Sequence, residues 1–151
     1  MDLRQALVTL FYTQLTTDPA LQALFILPGE VAGTVRMTNG MPPPDQEFPY
    51  LTHRLALAVD SASWALANGI WYLDIWDHQP DEERLLAIRQ RIITLMDWQL
   101  FQPPGGEAVV AELRLVRDED GPTDAADVFR LMLQWELHLD RQVEVEAILT
   151  R

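Results

Sequence analysis

The sequence predicts one α+β domain spanning residues 1–151, built on a mixed, mainly antiparallel sheet of about four to five strands. One long central helix and an N-terminal helix are expected to pack on this sheet. Residues 70–77 are almost all apolar or aromatic, which is typical of a central strand covered on both faces. This strand leads through a tight acidic turn into an amphipathic helix over residues 80–98.

The start and the apolar stripe of the central helix are both visible in the sequence. Pro80 is compatible with a first helical turn, and the acidic residues at 81–83 favour a helix N-terminus. Apolar residues then recur at helical spacing and predict one buried face. They are Leu85, Leu86, Ile88, Ile92, Ile93, Leu95 and Met96.

The first 25 residues predict two helices. Apolar residues at helical spacing indicate the first over residues 2–16. Asp18 is the expected N-cap, and Pro19 the first residue, of a short second helix that ends at Phe25. The alternative is that the first helix continues after a kink.

Residues 27–47 predict a long loop or an extended hairpin arm, since they contain three glycines and four prolines and show no clean period. Asn39-Gly40 suits the two-residue turn of a hairpin. The segment is either disordered or used for contact, because such long connections are uncommon in compact domains.

Several side chains of this arm have no obvious core position, so we expect them to contact a partner or a neighbouring subunit. The expected contact residues are Val31, Val35, Arg36, Met37 and Met41, together with Trp64 near a later turn.

Alternation of apolar and polar residues predicts three further strands, over residues 51–60, 109–117 and 129–140. Asn68-Gly69 is expected to fold residues 64–67 back beside the central strand as a hairpin. The acidic stretch 118–127 is interpreted as a turn and residues 141–151 as an irregular tail. The apolar row of the last strand should be buried under the central helix: Leu131, Leu133, Trp135 and Leu137.

Composition excludes several kinds of chemistry. All 11 basic residues are arginine and cysteine is absent, which excludes catalytic lysines, thiol catalysis and cysteine zinc sites. The formal net charge of -12 opposes nonspecific adhesion to nucleic acid or to an anionic membrane. The sequence has no apolar run of about 18 residues and no signal-peptide pattern, so a soluble, unprocessed protein is expected.

Two clusters could hold a divalent metal on carboxylate and imidazole ligands. Glu136, His138 and Asp140 share one strand face. His78 is flanked by four acidic residues, Asp74, Asp77, Asp81 and Glu82. The simpler interpretation is a solvated strand face in the first case and a strand end followed by a helix start in the second.

We therefore expect no metal site, no cofactor and no catalytic residues. A GxSxG elbow, a glycine-rich phosphate loop and an HExxH helix are all missing from the sequence. The aromatic residues are interpreted as core rather than as a ligand cage, with Trp71, Trp76, Trp98 and Trp135 packed inside.

Four stretches follow one another between residues 3 and 140. They are the opening helix LRQALVTLFYTQL, a loop closing on FPYLTHRLAL, the unit YLDIWDHQPDEERLLAIRQRIITLM, and a late pair of strands around an acidic loop. Their order and character resemble the tail-completion proteins of long-tailed bacteriophages, the group of the lambda tail terminator and tail-to-head joining proteins. Residues 27–47 look longer than the usual loop of that family, and the C-terminal extension departs from it.

The resemblance implies a noncatalytic virion subunit without a cofactor, which caps the tail tube as a ring, usually a hexamer. It implies as partners other copies of the chain, the tail tube protein and the head-tail connector protein, and no membrane. DNA would pass through the ring without specific binding, which an acidic protein permits. The implied location is the phage tail or neck, after assembly in the host bacterial cytoplasm.

Two alternatives from other classes are compatible with the sequence. A secretion-type chaperone is also a small, acidic α+β protein without a cofactor, and it would form a dimer. A small metal-dependent hydrolase would use Glu136, His138 and Asp140.

Overall fold

A computed structural model describes residues 3–58, 68–78, 80–102 and 109–141, without the side chains of Val109, Asp140 and Arg141. These residues form three helices and six strands. The helices are α1 (Leu3–Thr16), α2 (Pro19–Ala23) and α3 (Glu82–Met96). The strands are β1 (Met37–Asn39), β2 (Tyr50–Ala58), β3 (Asn68–His78), β4 (Leu100–Phe101), β5 (Val109–Asp120) and β6 (Val128–Arg141).

The α+β class with a mixed, mainly antiparallel sheet is confirmed, although the described residues contain more strands than expected. The expected turn and hairpin over residues 61–67, and the tail after residue 141, lie outside the described residues. No helix in the described ranges is long and apolar enough to span a membrane.

The sheet order is β1-β2-β3-β6-β5-β4, and β1 with β2 is the one parallel pair among these neighbours. β3 pairs with β6 from Asn68↔His138 to His78↔Val128. On its other side β3 pairs with β2 from Ala58↔Asn68 to Tyr50↔Trp76. The run of apolar residues is therefore a central strand, as the sequence predicted.

The expectation that this strand is covered on both faces is wrong. Burial alternates along β3, so that Trp71, Leu73 and Ile75 are fully buried while Tyr72 and Trp76 keep exposed surface. The described helices pack on the first set only, because the core cluster joins those residues to the apolar faces of α1 and α3. No described helix covers the other face of the sheet, which we call the open face.

Aromatic rings form the centre of the core. The Trp71 ring centroid lies 4.9 Å from that of Phe11 on α1 and 5.0 Å from that of Trp135 on β6. Phe11 also meets Phe101 of β4 edge to face, with 5.2 Å between centroids. The prediction that the apolar row of β6 is buried is confirmed, since Leu131 is 6% exposed and Leu133, Trp135 and Leu137 are 0% exposed.

Helix α3 is shorter than expected at both ends. It begins at Glu82, with Glu82 and Glu83 in the acidic first turn, and it ends at Met96. Its buried residues are Leu85, Ile88, Ile92 and Met96, as predicted. Leu86 is 49% exposed, so its assignment to the buried face was wrong. The apolar stripe that contacts the sheet is narrower than the sequence suggested.

Arginines on α3 connect this helix to other elements. Arg84 donates two hydrogen bonds, 2.8 and 2.6 Å long, to the carboxylate of Asp77, which has no exposed surface. Arg91 contacts the Asp18 carboxylate in the same two-bond geometry, at 2.8 and 2.7 Å. Asp18 also caps α2 by accepting from the Leu21 amide at 2.8 Å, so its predicted role is confirmed. Hydrogen bonding from Arg91 lowers the pKa of Asp18.

Part of the arm over residues 27–47 is built into the core. β1 runs parallel to β2, with Met37 opposite Leu51 and Asn39 opposite His53, so the expected hairpin at Asn39-Gly40 is wrong. Gly40 instead has a positive φ of 86° and donates its amide to the His53 carbonyl at 3.0 Å. The three-residue strand adds an edge to the sheet rather than projecting away from it.

Three of the expected contact residues of the arm have structural roles instead. Val35 and Met37 are 3% and 7% exposed and belong to the core cluster, so their prediction as contact residues was wrong. Arg36 donates to the carbonyls of Phe25, Pro49 and Glu47 at 3.1 to 3.2 Å, which fixes it within the subunit. Local spacing could not reveal this, because the strand partner and the carbonyls come from distant positions.

The acidic stretch after β5 is also more regular than predicted. β5 continues through Asp118 and Asp120, which pair with Leu133 and Leu131 of β6 after a register shift between Leu115 and Arg117. Residues 118–120 were expected to form a turn. The strand tolerates these acidic side chains because they are exposed at the sheet periphery.

His53 is a buried polar residue that the sequence analysis did not single out. It is 4% exposed on β2, and its Nδ1 atom accepts a hydrogen bond of 3.2 Å from the indole nitrogen of Trp71. This acceptor role requires a neutral ring at Nδ1. Burial lowers the pKa of His53 from 6.5 to about 4, which is consistent with a neutral imidazole at pH 7.

We predict that Arg84→Met destabilises the protein far more than Arg89→Met. Arg89 makes a similar paired contact with Asp118, but the Asp118 side chain is 24% exposed whereas that of Asp77 is 0% exposed. An unpaired buried carboxylate costs about 3–5 kcal/mol, while loss of an exposed pair costs up to about 1 kcal/mol. Urea unfolding of the two variants measures the difference, and equal losses would contradict a structural role for the buried pair.

We also predict a pH dependence of stability that originates at His53. Its pKa is lower in the folded state than in the unfolded state, so stability is complete above pH 6.5 and falls as the pH decreases toward about 4. This residue should contribute a loss of about 2 kcal/mol between pH 7 and pH 5. His53→Gln keeps an acceptor for Trp71 but cannot titrate in this range. If the unfolding free energies of the two proteins fall equally between pH 7 and pH 5, His53 is not the source of the pH dependence.

Candidate functional site

The open face of the sheet carries two rows of aromatic and arginine side chains. Strand register places Tyr50 beside Trp76, and Trp76 beside Arg130. Four residues further along the strands, the same register places Arg54 beside Tyr72. Because side chains alternate along a strand, every one of these residues points away from the helices. The open face therefore carries aromatic rings with arginine side chains beside them.

The first row is held by contacts on both sides of Trp76. Its ring stacks on Tyr50, with centroids 5.8 Å apart and planes inclined by 14°. Arg130 lies 4.7 Å from the Trp76 ring centroid and is itself fixed by Asp74, whose carboxylate is 2.7 Å from the guanidinium. The Trp76 indole nitrogen donates to Thr52 at 3.0 Å. Such a preformed aromatic surface loses little conformational entropy when a partner binds.

A groove of about 530 Å³ lies over these rows. Residues 40–42, which follow β1, form part of its lining, and Asp124 of the β5–β6 connection forms another part. The lining from the sheet includes Tyr50, Arg54, Tyr72, Trp76 and Arg130. Tyrosine, tryptophan and arginine are the side chains most enriched in protein interfaces. The composition of the groove therefore favours a protein partner.

The second notable surface is the β4–β5 edge of the sheet. Trp98, Leu100 and Val116 are 64%, 66% and 52% exposed there. Trp98 was expected in the core, and that prediction was wrong. Its ring is instead flanked by Arg114, which lies 4.8 Å from the ring centroid. We call Trp98, Leu100 and Val116 the edge patch.

The backbone of Trp98 is strained. Its φ angle is +61°, a conformation that costs a residue with a side chain about 1–2 kcal/mol. The Trp98 amide donates to the Leu113 carbonyl at 2.9 Å, and this contact holds the bend between α3 and β4. A glycine or an asparagine would fit this backbone with less strain. A large apolar side chain at such a position often marks a functional surface.

The first candidate metal cluster is only partly described. Nε2 of His138 lies 3.6 Å from Oε2 of Glu136, and the two side chains are 46% and 52% exposed. The side chain of Asp140 lies outside the described residues. Glu112, which is opposite His138 across the strand pair, makes an ion pair with Arg114. Exposed residues in this arrangement fit a solvated strand face.

The second candidate cluster contains a cationic side chain already. Ligand atoms of Asp77, His78 and Asp81 all lie within 4.8 Å of one another. Arg84 contacts the carboxylates of both Asp77 and Asp81, at 2.6 and 3.0 Å. The arginine therefore supplies the positive charge that a metal ion would otherwise bring to these acids.

The predicted contact residues divide into three groups. Val31 and Met41 are 97% and 91% exposed, so they are available to a partner. Val35, Arg36 and Met37 serve the subunit itself, as described above. Trp64 lies outside the described residues.

Sequence reasoning missed the aromatic rows of the open face. A signal was present, because Tyr72, Asp74, Trp76 and His78 share one parity of β3 and each carries a polar atom. Strict alternation of this kind indicates a strand with one solvated face. The high overall hydrophobicity of the strand obscured it.

We predict that a triple variant with Glu136→Gln, His138→Gln and Asp140→Asn keeps the melting temperature of the parent protein. The described side chains of this cluster are exposed, and surface substitutions of this kind change stability by about 0.5 kcal/mol or less. Metal analysis of both purified proteins accompanies the melting curves. Stoichiometric zinc, manganese or magnesium that disappears in the variant would contradict this prediction.

Comparisons with known proteins give similarity at the level of the fold. No protein-family model matches the chain, and no curated protein matches it. Among solved structures, a chain of the virion of a native gene transfer agent particle is 16% identical, with a TM-score of 0.61. That match covers 85% of this chain and 90% of the virion chain. A second solved structure is 14% identical, with a TM-score of 0.57, and the match covers 92% of this chain and 97% of the other. The chain thus shares its fold with a protein of a virion particle.

Proposed function

We propose that this protein is a structural subunit of a phage or phage-like virion, and that it closes the tail tube as a terminator ring. The observation that carries the proposal is the shared fold with a chain of a gene transfer agent virion, over 85% of this chain and 90% of the other. A match of nearly equal extent on both sides compares most of each chain rather than a short common fragment. The order of sequence elements supports the same assignment, because it resembles the phage tail-completion proteins.

The surfaces of the subunit support assembly with other proteins. The open face offers Tyr50, Trp76 and Arg130 in fixed positions, and the edge patch offers Trp98 and Leu100 to a neighbour. Tryptophan and arginine contribute most of the binding energy in many interfaces. We propose that other copies of the chain, the tail tube protein and the head-tail connector protein use these surfaces.

The proposed ring is a hexamer with a noncatalytic role and no cofactor. A formal charge of -12 on each subunit supports an inner wall that does not retain passing DNA. The paired arginines support this as well, because Arg84, Arg89 and Arg91 each contact a carboxylate of the same subunit. The proposed location is the tail or neck of the virion, after assembly in the bacterial cytoplasm.

We expect particles made without this protein to carry tails of uncontrolled length or tails that fail to join heads. Deletion of the gene, followed by electron microscopy and infectivity or transfer assays, measures this directly. Supplying the wild-type protein from a plasmid should restore normal particles and excludes effects on neighbouring genes. Normal, fully active particles in the deletion strain would disprove the proposed function.

A further inference from the structure

The exposed apolar side chains next to the sheet are concentrated at its two opposite edges. β1 and β4 are the outermost strands of the six described. Met41, 91% exposed, follows β1 by two residues, and the edge patch of Trp98, Leu100 and Val116 lies along β4 and β5. Exposed apolar side chains do not stabilise an isolated subunit, because their surface stays in contact with water. Two different patches on opposite sides are typical of a head-to-tail contact between identical subunits.

The residues after β1 form a compact projection. The Gln46 amide donates to the Pro43 carbonyl at 3.1 Å, which closes a turn with Pro44 and Asp45 at its corner. Met41, Pro43, Pro44 and Asp45 are all exposed. We call residues 41–45 the proline turn. Its proline rings restrict the backbone, so that little entropy is lost when the turn binds.

The edge patch has the features of a binding site for such a projection. β4 pairs with β5 at only two positions, Leu100↔Glu112 and Phe101↔Ala111. Beyond Leu115, the outer side of β5 has no strand partner within the described residues, and Val116 lies at the register shift. The positive φ of Trp98 holds a large aromatic ring at this edge in spite of backbone strain. The site is thus an incomplete sheet edge next to an exposed tryptophan.

Charges at the two edges are complementary. Asp45 and Glu47, in and next to the proline turn, are exposed acids. Arg114 and Arg117 are 48% and 45% exposed near the edge patch. Both arginines pair with glutamates two residues away in the same strand: Glu119 is 47% exposed and Glu112 is 28% exposed. Ion pairs of this kind near the surface exchange at little energetic cost. An incoming carboxylate can therefore replace them.

We propose that the proline turn of one copy docks on the edge patch of the next copy, with Met41 against Trp98 and Leu100, and with Asp45 paired to Arg114. The inference rests on the proposed ring, for which it names the subunit contact. Methionine suits this position because its flexible thioether packs well on aromatic rings. Since the two patches lie on opposite edges, each subunit uses one patch for each neighbour, and the contact repeats around a closed ring.

Cysteine cross-linking tests the proposed contact, because the chain contains no natural cysteine. The full-length Met41→Cys variant, mixed with full-length Leu100→Cys under mild oxidation, should form a disulfide-linked heterodimer. A chain that carries both substitutions should form a ladder of larger oligomers. Leu86→Cys replaces Leu100→Cys as the matched control, since Leu86 is 49% exposed on α3 and should not react with Met41→Cys.

Substitution of Trp98 separates assembly from folding. Trp98→Gly relieves the strain of the positive φ angle, because glycine adopts this conformation without a steric cost. The melting temperature of the monomer should therefore stay the same or rise. Cross-linking between positions 41 and 100 should nevertheless become roughly tenfold slower or more, because a central tryptophan is lost from the contact. Trp98→Asn, which also tolerates this backbone, serves as the second variant. Unchanged cross-linking in two well-folded variants would overturn the proposal.

Charge reversal tests the polar half of the contact. In the copy that carries Leu100→Cys, Arg114→Glu should slow cross-linking to a Met41→Cys copy that keeps Asp45. Asp45→Arg in the Met41→Cys copy should restore the rate. Dominant Met41→Cys homodimers would instead indicate twofold pairing through the open-face groove, and would overturn the head-to-tail contact. If particles need the protein but positions 41 and 100 never cross-link in them, the contact is wrong and the proposed function stands. If the doubly substituted protein forms cross-linked ladders but particles are normal without the protein, the subunit contact is supported and the proposed function is disproved.

Discussion

The register between β3 and β6 is the constraint on which the rest of the structure depends. It places Trp71 opposite Trp135 and Leu73 opposite Leu133, so that one row of matched apolar residues faces α1 and α3. A shift of β3 by one residue would turn Trp71 and Leu73 to the open face while Trp135 stayed under the helices, and the core would break. Phe11 then packs 4.9 Å from Trp71, which positions α1 on the same row. The pairing of two strands thus decides where the helices bind.

The same register builds the open face. When Trp71 points toward the helices, Trp76 must point away from them, where it lies between Tyr50 and Arg130. The aromatic rows are therefore as well determined as the core. A rigid surface of this kind suits contact with a neighbouring protein, since less entropy is lost when it binds.

Charge has two different roles in this acidic subunit. Inside, Asp77 is stabilised by Arg84, and Asp18 links α2 to Arg91 of α3, so a few carboxylates position the helices. Outside, exposed acids such as Asp45 form no ion pair within the part of the chain that the structure describes, and they are available to a neighbour. The arginines mostly neutralise acids of their own chain. Most of the formal charge of -12 therefore remains at the surface, which disfavours adhesion to nucleic acid.

The sequence by itself determined the class of fold, the positions of α1 and α3, and the buried row of β6. These features depend on local periodicity, which a helix or a strand shows without reference to its neighbours. The N-cap role of Asp18 was predictable for the same reason, because capping involves residues a few positions apart.

Only the tertiary structure decided which apolar residues are core and which are exposed. Val35 and Met37 are buried because β1 pairs with β2, and Trp98 is exposed because the chain bends sharply after α3. Neither outcome has a local signal, since each depends on hydrogen bonds to residues distant in sequence. The open face is a further case, because one side of β3 is left uncovered only when the described helices all pack on the other. Hydrophobicity shows that a residue prefers burial, but pairing between distant segments determines whether it is buried.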